Sequence, residues 1–288
     1  MERSEAGVTT CHAVGIDMRE VTDQEGAFFR ENGWVKLAGL ISPESAQAML
    51  DPVRDIVMAA KGGQPPDLTA LPLDPSERIF DFGQWRDWHF PARDNQIEPL
   101  RSLVFSREIG RNTARLLGRE IGVNYHADLL AVKMPAGHEG SLPTTWHQDW
   151  INFPFDRVGF LTFWIALDEV RAEQGAMRFL SGSHKEGPLG RRNFGDAGDV
   201  LEYYPALSER YEMSPPLDLH AGDATVHTGL VVHGAPENAT DRPRWALTTS
   251  YHPADTCYTG APHHIFSQSL GLEIGEPIRH PLFPTIYP

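Results

Sequence analysis

The chain predicts a mainly β domain, a sandwich, jelly roll or barrel, with helices gathered in its first third. From Val123 onward, short apolar runs recur, separated at close intervals by Gly, Pro, Asn and Asp, the texture of strands joined by turns. Before Gly118 the apolar residues instead recur at three- and four-residue spacing, as on one face of a helix. The chain has 288 residues, 41% of them hydrophobic, enough to bury a sizeable core. We expect one domain over 1–288: a helical part at about 23–118, a β core at about 123–255 and a tail at 256–288.

Residues 1 to about 22 are polar and lack a strong period. A helix is expected from Asp23, anchored by Phe28 and Phe29 and stopped by Asn32-Gly33. Trp34 to Ile41 reads as a strand running into a turn. Ser42, followed by Pro43 and Glu44, is a good N-cap for a helix carrying Ala46, Met49, Leu50, Val53 and Val57. Residues 61–75 are a Gly/Pro-rich loop, and 80–91, with Trp85 and Trp88, are aromatic but without period. Such a segment suits a pocket wall or a barrel plug. A second helix is expected over about Leu100 to Leu117, ended by Gly118.

Beyond it, Val123 to Lys133 reads as one strand or two. Phe160 to Leu167 is apolar on both faces and so central to a sheet. Further strands are expected at 177–180, 223–227, 230–233 and 245–251, with a long insertion at 185–215.

Composition excludes several function classes. A net charge of −14 disfavours nucleic acid or an anionic membrane as partner, since both need a basic face. No apolar run approaches the ~20 residues of a membrane span, and residues 1–7 lack an apolar signal core. Cys11 and Cys257 make neither a disulfide framework nor a thiolate zinc site. The expectation is a cytoplasmic protein acting on a small molecule, with no obligate protein partner.

Chemistry concentrates around Trp146-His147-Gln148-Asp149-Trp150. In an extended chain His147 and Asp149 point to one face, offering an imidazole and a carboxylate to one small volume. One more histidine would complete a two-histidine, one-carboxylate triad, which covers one face of a ferrous ion and leaves the other open. His227 and His233 both qualify; we expect His233 at the end of its strand, beside a turn at the barrel mouth. Arg244 opens the next strand, expected to lie antiparallel to that of His233. A buried arginine calls for an anion, and its fork fits a carboxylate. A small dicarboxylate such as 2-oxoglutarate could chelate the metal at one end and meet Arg244 at the other. Ala246, Thr248 and Ser250 share its face.

These residues, with Trp164-Ile165-Ala166-Leu167-Asp168-Glu169, Glu173-Gln174-Gly175, Ser181-Gly182-Ser183-His184 and His233-Gly234-Ala235-Pro236-Glu237-Asn238, resemble the phytanoyl-CoA dioxygenase family in order over about 23–255. The resemblance implies a double-stranded β-helix and an Fe(II)/2-oxoglutarate-dependent oxygenase using O2. It makes His147, Asp149 and His233 the metal ligands and Arg244 the partner of the distal carboxylate, eleven positions after His233 (244 − 233 = 11). It places Trp164 and Leu129 at the co-substrate, with Lys133 as a polar contact there; Thr248 is expected to add its hydroxyl because it shares the face of Arg244. His227 falls near the site in a supporting role and His184 in a turn; His126 and His252 receive no role. Asp149 stands where related halogenases have a small residue, so hydroxylation is expected over halogenation. The pocket walls are expected from Trp150, Asn152, Phe153 and Phe155, the aromatic segment with Trp85 and Trp88 and the 185–215 insertion; the tail at 281–284 is expected either to form part of the lid or simply to cover the barrel.

The expected reaction is hydroxylation of an unactivated C–H bond in a lipophilic small molecule, a secondary-metabolite tailoring step releasing succinate and CO2. Desaturation, epimerisation, ring closure and endoperoxide formation use the same cofactors. A cupin-like zinc hydrolase and a non-catalytic binding protein are the competing classes.

Overall fold

A computed structural model describes residues 16–58, 98–137, 142–189, 199–261 and 270–288. The aromatic segment at 80–91, with Trp85 and Trp88, lies outside the described residues, as do Cys11 and the side chain of Asn152.

Local sequence explains the helical part. Helix α1 (Asp23–Asn32) starts at a capping box in which Thr22 and Glu25 satisfy each other's backbone N–H groups. It stops at Gly33, whose φ of 79° suits glycine. A Cβ at Gly33 would sit 2.5 Å from His184 Nδ1, so close approach also demands glycine there. Strand β1 (Trp34–Leu37) is shorter than expected because the chain turns at Gly39. Helix α2 (Pro43–Met58) begins as predicted after Ser42. The predicted helix over 100–117 is two, α3 (Leu100–Val104) and α4 (Arg107–Leu117). Ser106 leaves helical geometry, and its hydroxyl accepts the Ile109 N–H, so capping breaks a pattern that periodicity alone reads as continuous.

The core strands are β2 (Val123–Lys133), β3 (Thr144–His147), β4 (Leu161–Ala166) and β5 (Arg178–Phe179). Two short helices, α5 (Val200–Tyr203) and α6 (Ala206–Arg210), lie in the expected insertion. The series ends with β6 (Ala224–Thr228), β7 (His233–Ala235), β8 (Arg244–Pro253) and β9 (Thr285–Tyr287).

They form a six-stranded sheet, β1-β6-β4-β8-β2-β9, facing a three-stranded sheet, β3-β7-β5. All pairings are antiparallel, giving the curled jelly roll of a double-stranded β-helix. Two expectations change. His233 opens β7 rather than closing a strand, because 230–232 run as turn and irregular chain. Arg244 belongs to the large sheet and His233 to the small one, so the two face each other across the barrel instead of lying on adjacent strands. The tail at 281–284 leads into β9, which adds an edge to β2.

The large sheet separates two interiors. On its outer face Leu130, Val132, Phe163, Ile165, Trp245, Leu247 and Tyr251 pack with Met49, Leu50, Val53, Leu103 and Leu116 of the helices. Each such fully buried aliphatic or aromatic side chain contributes about 1.5–3 kcal/mol. The inner face, offset by one residue, carries Arg244, Ala246, Thr248, Ser250 and His252 along β8.

Candidate active site

The small sheet and the connection after β3 build the centre. His147 ends β3 opposite His233, the first residue of β7. Gln148 stays extended (φ −115°, ψ 132°), so Asp149 emerges on the face of His147 although it opens a 3-10 turn rather than continuing the strand. One ligand atom each from His147, Asp149 and His233 lies within 4.8 Å of the others. Asp149 Oδ1 is 3.3 Å from His147 Nε2 and 3.7 Å from His233 Nε2.

The donor set fits a divalent metal in detail. His147 Nδ1 lies 2.7 Å from the Thr145 carbonyl and His233 Nδ1 3.0 Å from that of Val231. Each contact places the proton on Nδ1 and leaves the Nε2 lone pair for a metal. Burial, reinforced by His147 and His227, holds the His233 imidazole well below its ordinary pKa, in the neutral form a ligand requires. Burial alone would raise the Asp149 carboxyl, but His233, His147 and His227 together hold it well below the usual range.

His227 supports the carboxylate. Its Nε2 lies 3.2 Å from Asp149 Oδ2, leaving Oδ1 toward the two ligand histidines. The bend at Thr228-Gly229 returns the chain so that the His227 and His233 rings stand 4.3 Å apart. On the large sheet His227 pairs with Thr162, and Thr162 with Ser250, whose hydroxyls lie 3.0 Å apart; this row marks the level of the centre.

The predicted co-substrate residues fall on one side of that row. Leu129, Thr248 and Trp164 are cross-strand neighbours in a single row, and Thr248 Oγ1 donates to the Leu129 carbonyl at 3.3 Å. Arg244, 2% exposed, lies with its guanidinium carbon 5.1 Å from the Trp164 ring centroid. Its Nη1 donates to the Gly175 carbonyl at 2.6 Å. Lys133 pairs with Arg244 across β2 and β8, fully buried, and donates to the Pro236 carbonyl at 2.8 Å. A Cβ on Gly175 would lie 2.7 Å from both Lys133 Cδ and the Pro236 oxygen, and its φ is +80°. That explains the glycine of Glu173-Gln174-Gly175. His184 is remote from the metal ligands in role: its Nε2 lies 3.2 Å from the Arg30 carbonyl and ties a turn to α1.

On the opposite side stands an aromatic cluster. Phe155, Phe160, Ile278 and Phe283 are buried, with Trp150, Phe153 and Tyr258 half-buried against them. Two histidines that sequence reasoning passed over belong here. His126 sits in a β-bulge between Tyr125 and Ala127, with its ring 4.8 Å from Phe153 and 5.5 Å from Phe283. His252 is fully buried, 5.0 Å from Phe155 and 5.7 Å from His126. Its alternation with Ser250 was legible in the sequence; its surroundings were not.

Fold and centre together define a class, the non-haem oxygenases that work with iron and 2-oxoglutarate. The profile of the Phytanoyl-CoA dioxygenase (PhyH) family matches residues 29–246. The chain belongs to the phytanoyl-CoA dioxygenase family. Phytanoyl-CoA dioxygenase 1 of Oryza sativa subsp. japonica is 32% identical over 258 residues, 82% of this chain and 90% of the relative. A methylphosphonate hydroxylase of Gimesia maris is 25% identical over 240 residues, 81% of each chain. Among solved structures, the non-haem alpha-ketoglutarate-dependent carbocyclase SnoK from nogalamycin biosynthesis superposes with a TM-score of 0.71 at 25% identity, covering 92% of this chain and 96% of its own.

Proposed function

We propose that the chain hydroxylates an unactivated C–H bond of a lipophilic small molecule, a secondary-metabolite tailoring reaction, with His147, Asp149 and His233 holding Fe(II) and Arg244 holding 2-oxoglutarate. The observation that carries this is the convergence of three donors within 4.8 Å while both histidines have Nδ1 at a backbone carbonyl. Bound there, iron and 2-oxoglutarate supply the oxidising power: O2 is consumed, 2-oxoglutarate is split to succinate and CO2, and one oxygen atom reaches the substrate.

The chain's own residues orient these partners. His147 and His233 present Nε2, and His227 holds Asp149 so that Oδ1 faces the metal. Arg244, fixed by Gly175 and the face of Trp164, offers its fork to the far carboxylate, with Leu129 and Thr248 along the connecting carbons. Lys133 adds positive charge at the same end. The rings of Trp150, Phe153 and Phe155 keep water from the open side, and the substrate approaches there. Asp149 occupies the coordination position that a halide would need, which supports hydroxylation. Ring closure is the second reading, favoured by the likeness to a carbocyclase. A zinc hydrolase is the weaker account because it gives the buried Arg244 no task.

The test is anaerobic addition of Fe(II) and 2-oxoglutarate, which should produce the visible charge-transfer band of the chelate, followed by O2 and assay of succinate. His233→Ala should abolish both signals. No band in the wild type, or an undiminished one in the variant, defeats the assignment.

A further inference from the structure

The interior face of β8 carries three kinds of side chain in sequence. Arg244 stands at one end, Thr248 and Ser250 in the middle, and His252 beyond the row that contains His227. His252 is two residues past Ser250, about 7 Å along the strand. It therefore lies across the level of the metal centre from the arginine. Phe155, its close ring neighbour, belongs to the connection that begins with the ligand Asp149.

His252 is fully buried, and among the described residues neither ring nitrogen has a hydrogen-bond partner. Leaving polar atoms buried without partners is costly, and native proteins do it rarely and for a reason. A weak N–H contact to the Phe155 ring does not replace two hydrogen bonds. Burial lowers the imidazole pKa to about 3, so at neutral pH the ring offers one donor and one acceptor and no charge. Its surroundings are rings: Phe153 and Phe155 stack at 5.4 Å, and Phe153 and Phe160 approach to 4.3 Å. The faces of flat rings suit another flat ring.

We propose that His252 is the polar contact of the substrate subsite, and that the substrate is an aromatic or polycyclic molecule whose hydroxyl or carbonyl oxygen seats against this imidazole. The proposal rests on the oxygenase reading above and sharpens its substrate class. The ligand enters past Trp150, Phe153 and Tyr258, which rim the cluster and are only half-buried. Specificity follows from the cost of the unmatched imidazole: a ring that lacks the oxygen leaves it as unsatisfied as before, and one that carries it does not.

Equilibrium dialysis of the Fe(II)- and 2-oxoglutarate-loaded protein, without oxygen, tests this with 2-naphthol and 2-methylnaphthalene, two probes of matched shape. His252→Phe should weaken 2-naphthol about tenfold while leaving 2-methylnaphthalene unchanged or tighter. His252→Gln should retain part of the preference. Equal weakening of both probes, an undiminished affinity for 2-naphthol, or failure of the wild type to hold either probe overturns the proposal. The charge-transfer band of the same samples reports iron and 2-oxoglutarate separately. Its absence would defeat the oxygenase reading while the dialysis still judges His252.

Discussion

The two ends of the barrel interior use the same strand pair, β2 and β8, for opposite purposes. At one end Lys133 and Arg244 face each other, and each donates to a backbone carbonyl, that of Pro236 and that of Gly175. The neighbours are fixed and polar, and every contact suits a small, invariant dianion. At the other end Asn124 and His252 are the facing pair, walled by phenylalanines. There the polar groups carry no fixed charge: the Asn124 amide is bonded to Ile278 and Thr285, the His126 ring stands 5.7 Å from that of His252, and His252 finds no hydrogen-bond partner among the described residues. The difference teaches how one strand pair can serve two chemistries: the arginine end is specified by charge and hydrogen bonds, the far end by ring faces and uncharged polar groups.

That contrast can be broken at its strong end first. Arg244→Ala should raise the 2-oxoglutarate concentration needed for the charge-transfer band roughly 100-fold, as loss of a buried charged partner does, with little change in the iron requirement. An equal rise in both would remove the clamp role. Gly175→Ala should cost about 2 kcal/mol in chemical denaturation, since the new Cβ meets Lys133 and Pro236 in a left-handed backbone conformation. An unchanged midpoint would mean that this end is not rigid.

Between the ends, His227→Phe should weaken iron binding about tenfold by freeing the second Asp149 oxygen. Competition with a chelator measures it, and undiminished affinity would reduce His227 to packing. At neutral pH the smallest effect belongs to the far end, and it grows only in acid. His252 is held neutral down to about pH 3 when folded, whereas an unfolded histidine takes its proton near pH 6.5. The unfolded state therefore binds more protons across that window, and stability falls as pH drops from about 6.5 toward 3, by on the order of 1 kcal/mol per pH unit. His252→Phe should flatten this acid limb relative to the wild type in denaturant titrations. Parallel limbs would show that His252 is not buried as a neutral ring.

How much of this was legible in the sequence varied with the range of the interaction concerned. The stops and starts at Gly33 and at Ser42-Pro43 were legible because caps are local. The break at Ser106 was not, since a serine within an amphipathic pattern reads equally as an exposed helical position. His147 and Asp149 were paired from period-two alternation, and the pairing survives because Gln148 remains extended even though the strand has ended. For His233 the residue choice came from local arguments, but its place did not: which sheet takes β7 and which takes β8 depends on partners far along the chain. His252 lay beyond reach for another reason. Its parity could be counted from Arg244, yet an unsatisfied hydrogen bond is a property of everything around a group and has no local signature.

The bulge at His126 has a consequence for how such a site can change over time. Register shifts between Tyr125 and Ala127, so β2 runs in two phases. After the bulge, Ala127, Leu129 and Lys133 face the interior; before it Asn124 stands beside His252, while Tyr125 turns to the helices and stacks near Phe105. One inserted residue thus acts as a frame change confined to one end of the barrel. Deleting it would restore regular alternation, with Tyr125 still opposite Tyr251 and Ala127 still opposite Ser250, and would take only the His126 ring from that end. A one-residue insertion or deletion at this point can therefore add or remove a whole ring there, while the pairing of β2 with β8 on either side, Lys133 with Arg244 included, stays in register.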